Sequence, residues 1–211
     1  MKRILLTGFE PFGGDALNPS MLAARALHGR QVGGHRIVAA GLPTVFGSAD
    51  AMLGGLLRQH HPALVLCTGL AGGGEGFSLE RVAINVDDAP IADNAGAQPV
   101  DAPVVAGGPA AYFTTLPIKA MLAALQAQGL PARVSDSAGT FVCNHVFYGL
   151  MHTLATGRGL RGTLGGFIHL PWLPEMGSPS LPLDAMVLGL RVALGATLKD
   201  VSRPVRPDRS S

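Results

Sequence analysis

Arg3-Ile4-Leu5-Leu6-Thr7-Gly8-Phe9 runs straight into Glu10-Pro11-Phe12-Gly13-Gly14, an apolar stretch that ends in a tight glycine turn. A short apolar run bounded in this way is a buried strand, and the segment after the turn decides the class of the fold. Asn18-Pro19-Ser20 opens a helix, since Asn can cap the first N–H groups and Pro is pre-set for the first helical position. Met21, Leu22, Ala26 and Leu27 then keep helical spacing until Gly29. The scheme repeats. His35 to Leu42 is a strand, Ser48 caps a helix carrying Met52, Leu56 and Leu57, and Ala63 to Leu70 is a third strand ending in Gly69-Leu70-Ala71-Gly72-Gly73-Gly74.

The remainder continues the alternation with one excursion. Ser78 to Asp88 sets Val82, Ile84 and Val86 against Arg81, Ala83 and Asn85, the period of a half-buried strand, read here as an antiparallel excursion. Residues 93–109 hold Pro and Gly without periodicity and read as a long ordered loop of the kind found beside active sites. A helix over Pro117 to Gln128, a strand over Arg133 to Asp136, a helix over Phe141 to Leu154, a strand over Thr163 to Leu170 and a helix over Leu181 to Leu198 complete the series. The expected fold is α/β: a single-domain three-layer αβα sandwich with a mixed, mainly parallel twisted sheet over residues 1–201, with reactive groups at the carboxyl ends of strands. Residues 202–211 carry Arg203, Arg206 and Arg209 with two prolines and no apolar cluster, which predicts a flexible tail.

Composition narrows the function. Of 211 residues, 47% are hydrophobic and only 14% charged, the profile of a packed globule. Sixteen basic against fourteen acidic residues is too balanced for binding a phosphate backbone, so nucleic acid is not an expected partner. No apolar run approaches the roughly 18–20 residues needed to cross a bilayer, and no membrane partner is expected. Lys2 to Leu6 meets Thr7 before any signal-length run develops, and two cysteines cannot staple a chain of this size, so the reading is cytoplasmic. Gly157-Arg158-Gly159-Leu160-Arg161-Gly162 matches a dinucleotide fingerprint but follows a helix and precedes a strand, the reverse of the required context, and reads as a loop. Neither a phosphate loop, a metal site nor a cofactor is expected.

Three side chains carry candidate chemistry. Cys143 lies in Ser137-Ala138-Gly139-Thr140-Phe141-Val142-Cys143-Asn144-His145, where a turn enters a helix. There, unpaired N–H groups and the positive end of the helix dipole favour thiolate and can hold an oxyanion. Position alone leaves equally open a small buried hydrophobe. Cys67, inside Leu64-Val65-Leu66-Cys67-Thr68, reads as core. Among seven histidines only His169 ends an apolar strand, in Gly166-Phe167-Ile168-His169-Leu170-Pro171, whereas His60, His61, His145 and His152 read as structural. Glu80 stands at the start of the alternating strand, either as an orienter of an imidazole or as an exposed partner of Arg81.

Five segments taken together resemble the type I pyroglutamyl peptidases, or pyrrolidone-carboxylate peptidases, a family of cysteine peptidases. They are residues 7–14, residues 80–88 (Glu80-Arg81-Val82-Ala83-Ile84-Asn85-Val86-Asp87-Asp88), residues 110–119, residues 137–145 and residues 166–171. The resemblance implies a triad of Glu80, Cys143 and His169, and hydrolysis of the amide bond after an N-terminal pyroglutamyl residue of peptides through a thioester. It further implies a lactam pocket built from Phe9, Phe12, Asn18, Leu70, Ile91, Phe141 and Val142, and a homo-oligomer, commonly a homotetramer. In Asp88-Ala89-Pro90-Ile91-Ala92-Asp93-Asn94 the chain has Pro90 where relatives commonly carry arginine.

Overall fold

In the central strands the side-chain period of two sorts every residue onto one of two faces. Along β1 (Arg3–Phe9), Ile4 and Leu6 join one apolar cluster while Leu5 and Phe9 join another. Along β4 (Leu64–Leu70), Leu64 and Leu66 divide from Val65 and Cys67 in the same manner, and along β9 (Leu164–Leu170), Ile168 and Leu170 divide from Phe167. A strand apolar on both faces must be covered on both. The first face is covered by α1 (Pro19–Leu27), α3 (Ile118–Gln126) and α5 (Leu183–Val201), through Ala23, Leu27, Met121, Leu125, Met186 and Leu190. The second is covered by α2 (Ser48–His60) and α4 (Val142–Thr156), through Leu53, Leu57, Val146, Phe147 and Leu150.

This computed structural model describes residues 1–157 and 159–201, and the expected tail at 202–211 lies outside them. Among the described residues the main sheet has seven strands. With β2 (Gln31–Val32), β3 (His35–Leu42), β5 (Phe77–Glu80) and β8 (Ala132–Ser135), its order is β2-β3-β1-β4-β9-β5-β8. The pairs β1–β3, β1–β4, β4–β9 and β5–β8 are parallel, whereas β2–β3 and β5–β9 are antiparallel. The mixed, mainly parallel three-layer sandwich expected from the sequence is therefore present.

Two expectations are corrected. The stretch from Ser78 to Asp88 is not one strand, because it divides at Arg81 between β5 in the main sheet and β6 (Val82–Ile84), which pairs with β7 (Ala111–Phe113) in a separate two-stranded sheet. Arg81 donates its N–H to Ser135 O and accepts from Thr114 N, so its backbone bonds to both sides of the break. The buried member of β6 is Ala83, not its larger neighbours Val82 and Ile84. Likewise Ser48 is the first residue of α2 rather than its cap. The cap is Gly47, at φ 68°, with no side-chain hydrogen bond.

Helix α1 starts as its sequence predicts, with Asn18 Oδ1 accepting from Ser20 N at 3.1 Å. Phe9 N donates to Ser20 Oγ at 3.0 Å, which draws the helix start onto β1 beside Gly8. A Cβ at Gly8 would lie 2.3 Å from Ser20 O and 2.5 Å from Met21 N, both backbone atoms that cannot swing aside. Gly8→Ala is therefore expected to cost about 3 kcal/mol of stability through overpacking. Urea unfolding measures it, and a loss below about 1 kcal/mol would contradict the close helix–strand approach.

Candidate active site

Parity places the reactive side chains before any distance is considered. In β5, Phe77 and Leu79 face the cluster under α3 and α5, so Ser78 and Glu80 face the opposite layer. In β9, Ile168 and Leu170 take that first face, which leaves His169 on the side of α4, the helix that carries Cys143 in its first turn. The antiparallel register Ser78↔His169 and Leu79↔Ile168 lays the short β5 along the C-terminal half of β9, so that Glu80 and His169 fall on one face of neighbouring strands. Glu80 ends β5 and His169 is the penultimate residue of β9, whereas Cys143 lies in the first turn of α4; because β5 and β8 run opposite to β9, the expected gathering at one carboxyl edge of the sheet does not hold.

His169 Nδ1 lies 2.8 Å from Glu80 Oε1, and both groups are buried, at 6% and 1% exposure. The Cys143 side chain faces the same imidazole across the cavity that both line. Burial works against a charged ring, but the facing Cys143 and Glu80 outweigh it and push His169 up to about 9. Glu80 does not pair with Arg81, whose Nε instead meets Asp136 Oδ1 at 2.7 Å. Cys143 is half-buried. A Cβ at Gly69 would sit 2.8 Å from its Sγ and 3.0 Å from Phe167 Cζ, so the space for the thiol depends on that glycine. Cys67 is fully buried, and burial pushes its thiol up to about 12.

The start of α4 is held from outside the helix. Phe141 is its cap residue and offers no side-chain hydrogen bond to the first-turn N–H groups. Asn144, fully buried, accepts from Ile84 N at 3.0 Å and donates to Ile84 O at 2.9 Å and Val86 O at 3.0 Å. Thr140 Oγ1 donates to Asp88 O at 2.7 Å, and Asp88 N donates back to Thr140 O. Asp93 Oδ1 and Oδ2 accept from Ala95, Ala97 and Phe46, which pins the expected long loop. None of these anchors was legible in the sequence, because each depends on how the loops fold back on the helix start, which no local pattern records.

Cys143, His169 and Glu80 border one cavity of about 290 Å³, walled by Phe12, Leu70 and Phe141. Phe12 and Phe141 meet with ring centroids 5.8 Å apart. The other pocket residues implied by the resemblance lie off that lining. Phe9 packs on Phe167, Val142 is fully buried, and Asn18 spends its amide on Ser20 N and Glu10 O. Ile91 is exposed, and its Cδ1 would lie 3.8 Å from a Cβ at Gly13. A larger cleft of about 510 Å³ along residues 73–77 and 130–133 has no thiol or imidazole in its lining. Among the described residues no His, Cys, Asp or Glu cluster is arranged to hold a metal ion.

A model of the pyroglutamyl peptidase family matches residues 2–200. The pyrrolidone-carboxylate peptidase of Cupriavidus taiwanensis is 59% identical over 204 residues, covering 94% of each chain, and that of Erwinia tasmaniensis is 52% identical over 203 residues, covering 94% of this chain and 93% of its own. The crystal structure of pyroglutamyl peptidase I from Bacillus amyloliquefaciens superposes with a TM-score of 0.91 at 45% identity, covering 93% of this chain and 95% of that one. A pyrrolidone carboxyl peptidase from Pyrococcus furiosus gives 0.90 at 38%, covering 94% and 99%. With sequence, fold and length in agreement along nearly its whole extent, the chain belongs to the pyroglutamyl peptidase family of cysteine-type hydrolases.

Proposed function

We propose that the protein removes the pyroglutamyl residue from the N-terminus of peptides with Cys143 as nucleophile, His169 as acid and base, and Glu80 as the group that orients the imidazole. The observation that carries this reading is the chain of contacts Glu80 Oε1 to His169 Nδ1 to the Cys143 side chain, opening on a cavity with an aromatic wall. Nδ1 is committed to the carboxylate, which leaves Nε2 for the thiol and the leaving group.

Cys143 Sγ attacks the carbonyl that follows the lactam ring, and its proton resides on His169. The tetrahedral oxyanion is stabilised by the first-turn N–H groups of α4, where the dipole is also favourable. Collapse expels the amine, which takes the proton from His169 Nε2, and leaves a thioester on Cys143. Water then yields a proton to His169 and attacks the thioester, so that pyroglutamate leaves and the thiol is restored. A neutral lactam suits the Phe12–Phe141 wall, whereas a charged α-amine there would be buried without a partner. Pro90 is exposed and has no N–H, so the donors around Cys143 are expected to sustain turnover without the arginine that relatives commonly carry. Residues 202–211 stand outside this scheme, and residues 1–201 act as one domain. A homo-oligomer, a homotetramer as in many relatives, and a cytoplasmic location that keeps Cys67 and Cys143 as free thiols complete the proposal.

Chromogenic amides of pyroglutamate and of free glutamine test the substrate. The pyroglutamyl amide should be hydrolysed with a kcat/KM at least ~10²-fold higher, since rejecting the amine rests on a buried unpaired charge. Equal values would overturn the lactam-pocket reading.

Cys143→Ala and His169→Ala should each remove nearly all turnover, with the double variant little worse than either, because groups acting as a unit are non-additive. Glu80→Gln should retain more, its amide oxygen still accepting from the ring. Iodoacetamide should label Cys143 before the fully buried Cys67. Labelling at Cys67 alone, or wild-type rates in Cys143→Ala, would remove the mechanism.

The His169 proton also ties stability to pH. Its pKa in the folded protein, about 9, stands above the ordinary 6.5, so its contribution is fully present below about pH 6.5 and is lost as pH rises through about 9. Melting curves across that window should show Tm falling, with a smaller fall in Glu80→Gln. A Tm that is flat or rises over the same range would contradict it.

A further inference from the structure

One histidine read from the sequence as structural sits in a second cluster of ionisable groups behind the site. His145, on the helix that carries Cys143, has Nδ1 at 2.7 Å from Asp87 Oδ2 and Nε2 at 3.3 Å from Asp50 Oδ2. Gly47 N also points at Nε2, at 3.1 Å. Both His145 and Asp87 are buried, and Asp50 Oδ1 and Asp87 Oδ1 are buried without a hydrogen-bond partner. Because Nε2 has either a lone pair or a proton, it cannot accept from Gly47 and donate to Asp50 at once. A proton carried by Asp50 resolves this, since Nε2 then accepts from both, and burial, which pushes Asp50 up to about 6, favours it.

Such a cluster is a poor way to gain stability, since apolar groups of the same volume would fill the space without desolvating three ionisable side chains. What it does supply is orientation. The ring, fixed at both nitrogens, meets Phe46 edge-on, with centroids 5.3 Å apart and planes at 89°. Phe46 in turn meets Phe141 edge-on at 5.5 Å and 89°, and Phe141 is the cavity wall that packs on Phe12. The residue next to Phe46 is Gly47, whose N–H points at the imidazole, so ring and turn move together.

We propose that His145, clamped between Asp50 and Asp87, is a positioning residue for the lactam pocket, acting through Phe46 on Phe141. The inference rests on the pyroglutamyl reading above. Cys143, His169 and Glu80 have their own contacts and do not depend on this relay, so its loss changes substrate binding while sparing the chemical groups.

Steady-state kinetics with a pyroglutamyl amide, inhibition by free pyroglutamate and the rate of Cys143 alkylation by iodoacetamide form the test, applied to His145→Leu, Phe46→Leu, the double variant and Asp87→Asn. Each single Leu variant should raise KM and the pyroglutamate inhibition constant about tenfold, with kcat and the alkylation rate within about threefold of wild type. The double variant should be no more than about twofold worse than either single one, because the two residues act in series. Asp87→Asn, whose amide oxygen still accepts from Nδ1, should stay close to wild type. Should His145→Leu fail to fold, Phe46→Leu, at a half-buried position, decides the matter alone. Unchanged KM in folded variants, multiplicative effects in the double variant, or a parallel fall in kcat and alkylation would overturn the inference while leaving the peptidase reading in place. Wild-type protein inert toward the pyroglutamyl amide yet alkylated normally at Cys143 would overturn both.

Discussion

Strand parity is the constraint on which the rest of this molecule depends. Because β5 and β9 are buried on both faces, each side chain must serve one helix layer or the other, and the apolar demands of the α1–α3–α5 layer are met by Phe77, Leu79, Ile168 and Leu170. The alternate positions are left to face α4. Glu80 and His169 occupy two of these, at a cost in apolar burial of about 1.5–3 kcal/mol each relative to a fully buried aliphatic residue. Their mutual hydrogen bond and the Cys143 contact offset part of that cost. Sheet geometry therefore fixes where an acid and an imidazole can meet, and the helix brings the thiol to them.

The thiol needs a second constraint, since a helix start can slide or tilt where its caps are weak. Phe141 gives α4 no side-chain cap. Its place is instead set by Asn144 acting toward β6 as a strand edge would, bonding both N–H and C=O of Ile84, and by the reciprocal bonds between Thr140 and Asp88. This is a division of labour between a rigid sheet and a polar loop. It leaves the first-turn N–H groups of the helix unspent.

Much of this was legible in the sequence, for identifiable reasons. The βαβαβ opening was readable because each strand is a continuous apolar run and Asn18-Pro19 is a strong start signal. Cys143 and His169 could be singled out by position, and the family resemblance joined them to Glu80. What failed was the stretch from Ser78 to Asp88. Its alternation is real, but no local pattern says that a strand changes sheets at Arg81, because the partners there, Ser135 and Thr114, are distant in sequence. His145 was passed over for a related reason. Its carboxylates, Asp50 and Asp87, lie on segments far from it along the chain, so no ligand spacing exists to be seen.

The break at Arg81 also guards the pairing of β5. Slipped by one residue in one direction, β5 would set the Arg81 guanidinium in the buried place of Glu80, a cation beside an imidazole that itself favours its proton. Slipped the other way, Leu79 would take that place and Ser78 would turn into the apolar layer beneath α3 and α5. Either misalignment is rejected by charge or by solvation as the sheet closes. The four residues of β5 thus disfavour both slipped registers, and the observed one sets Glu80 against His169.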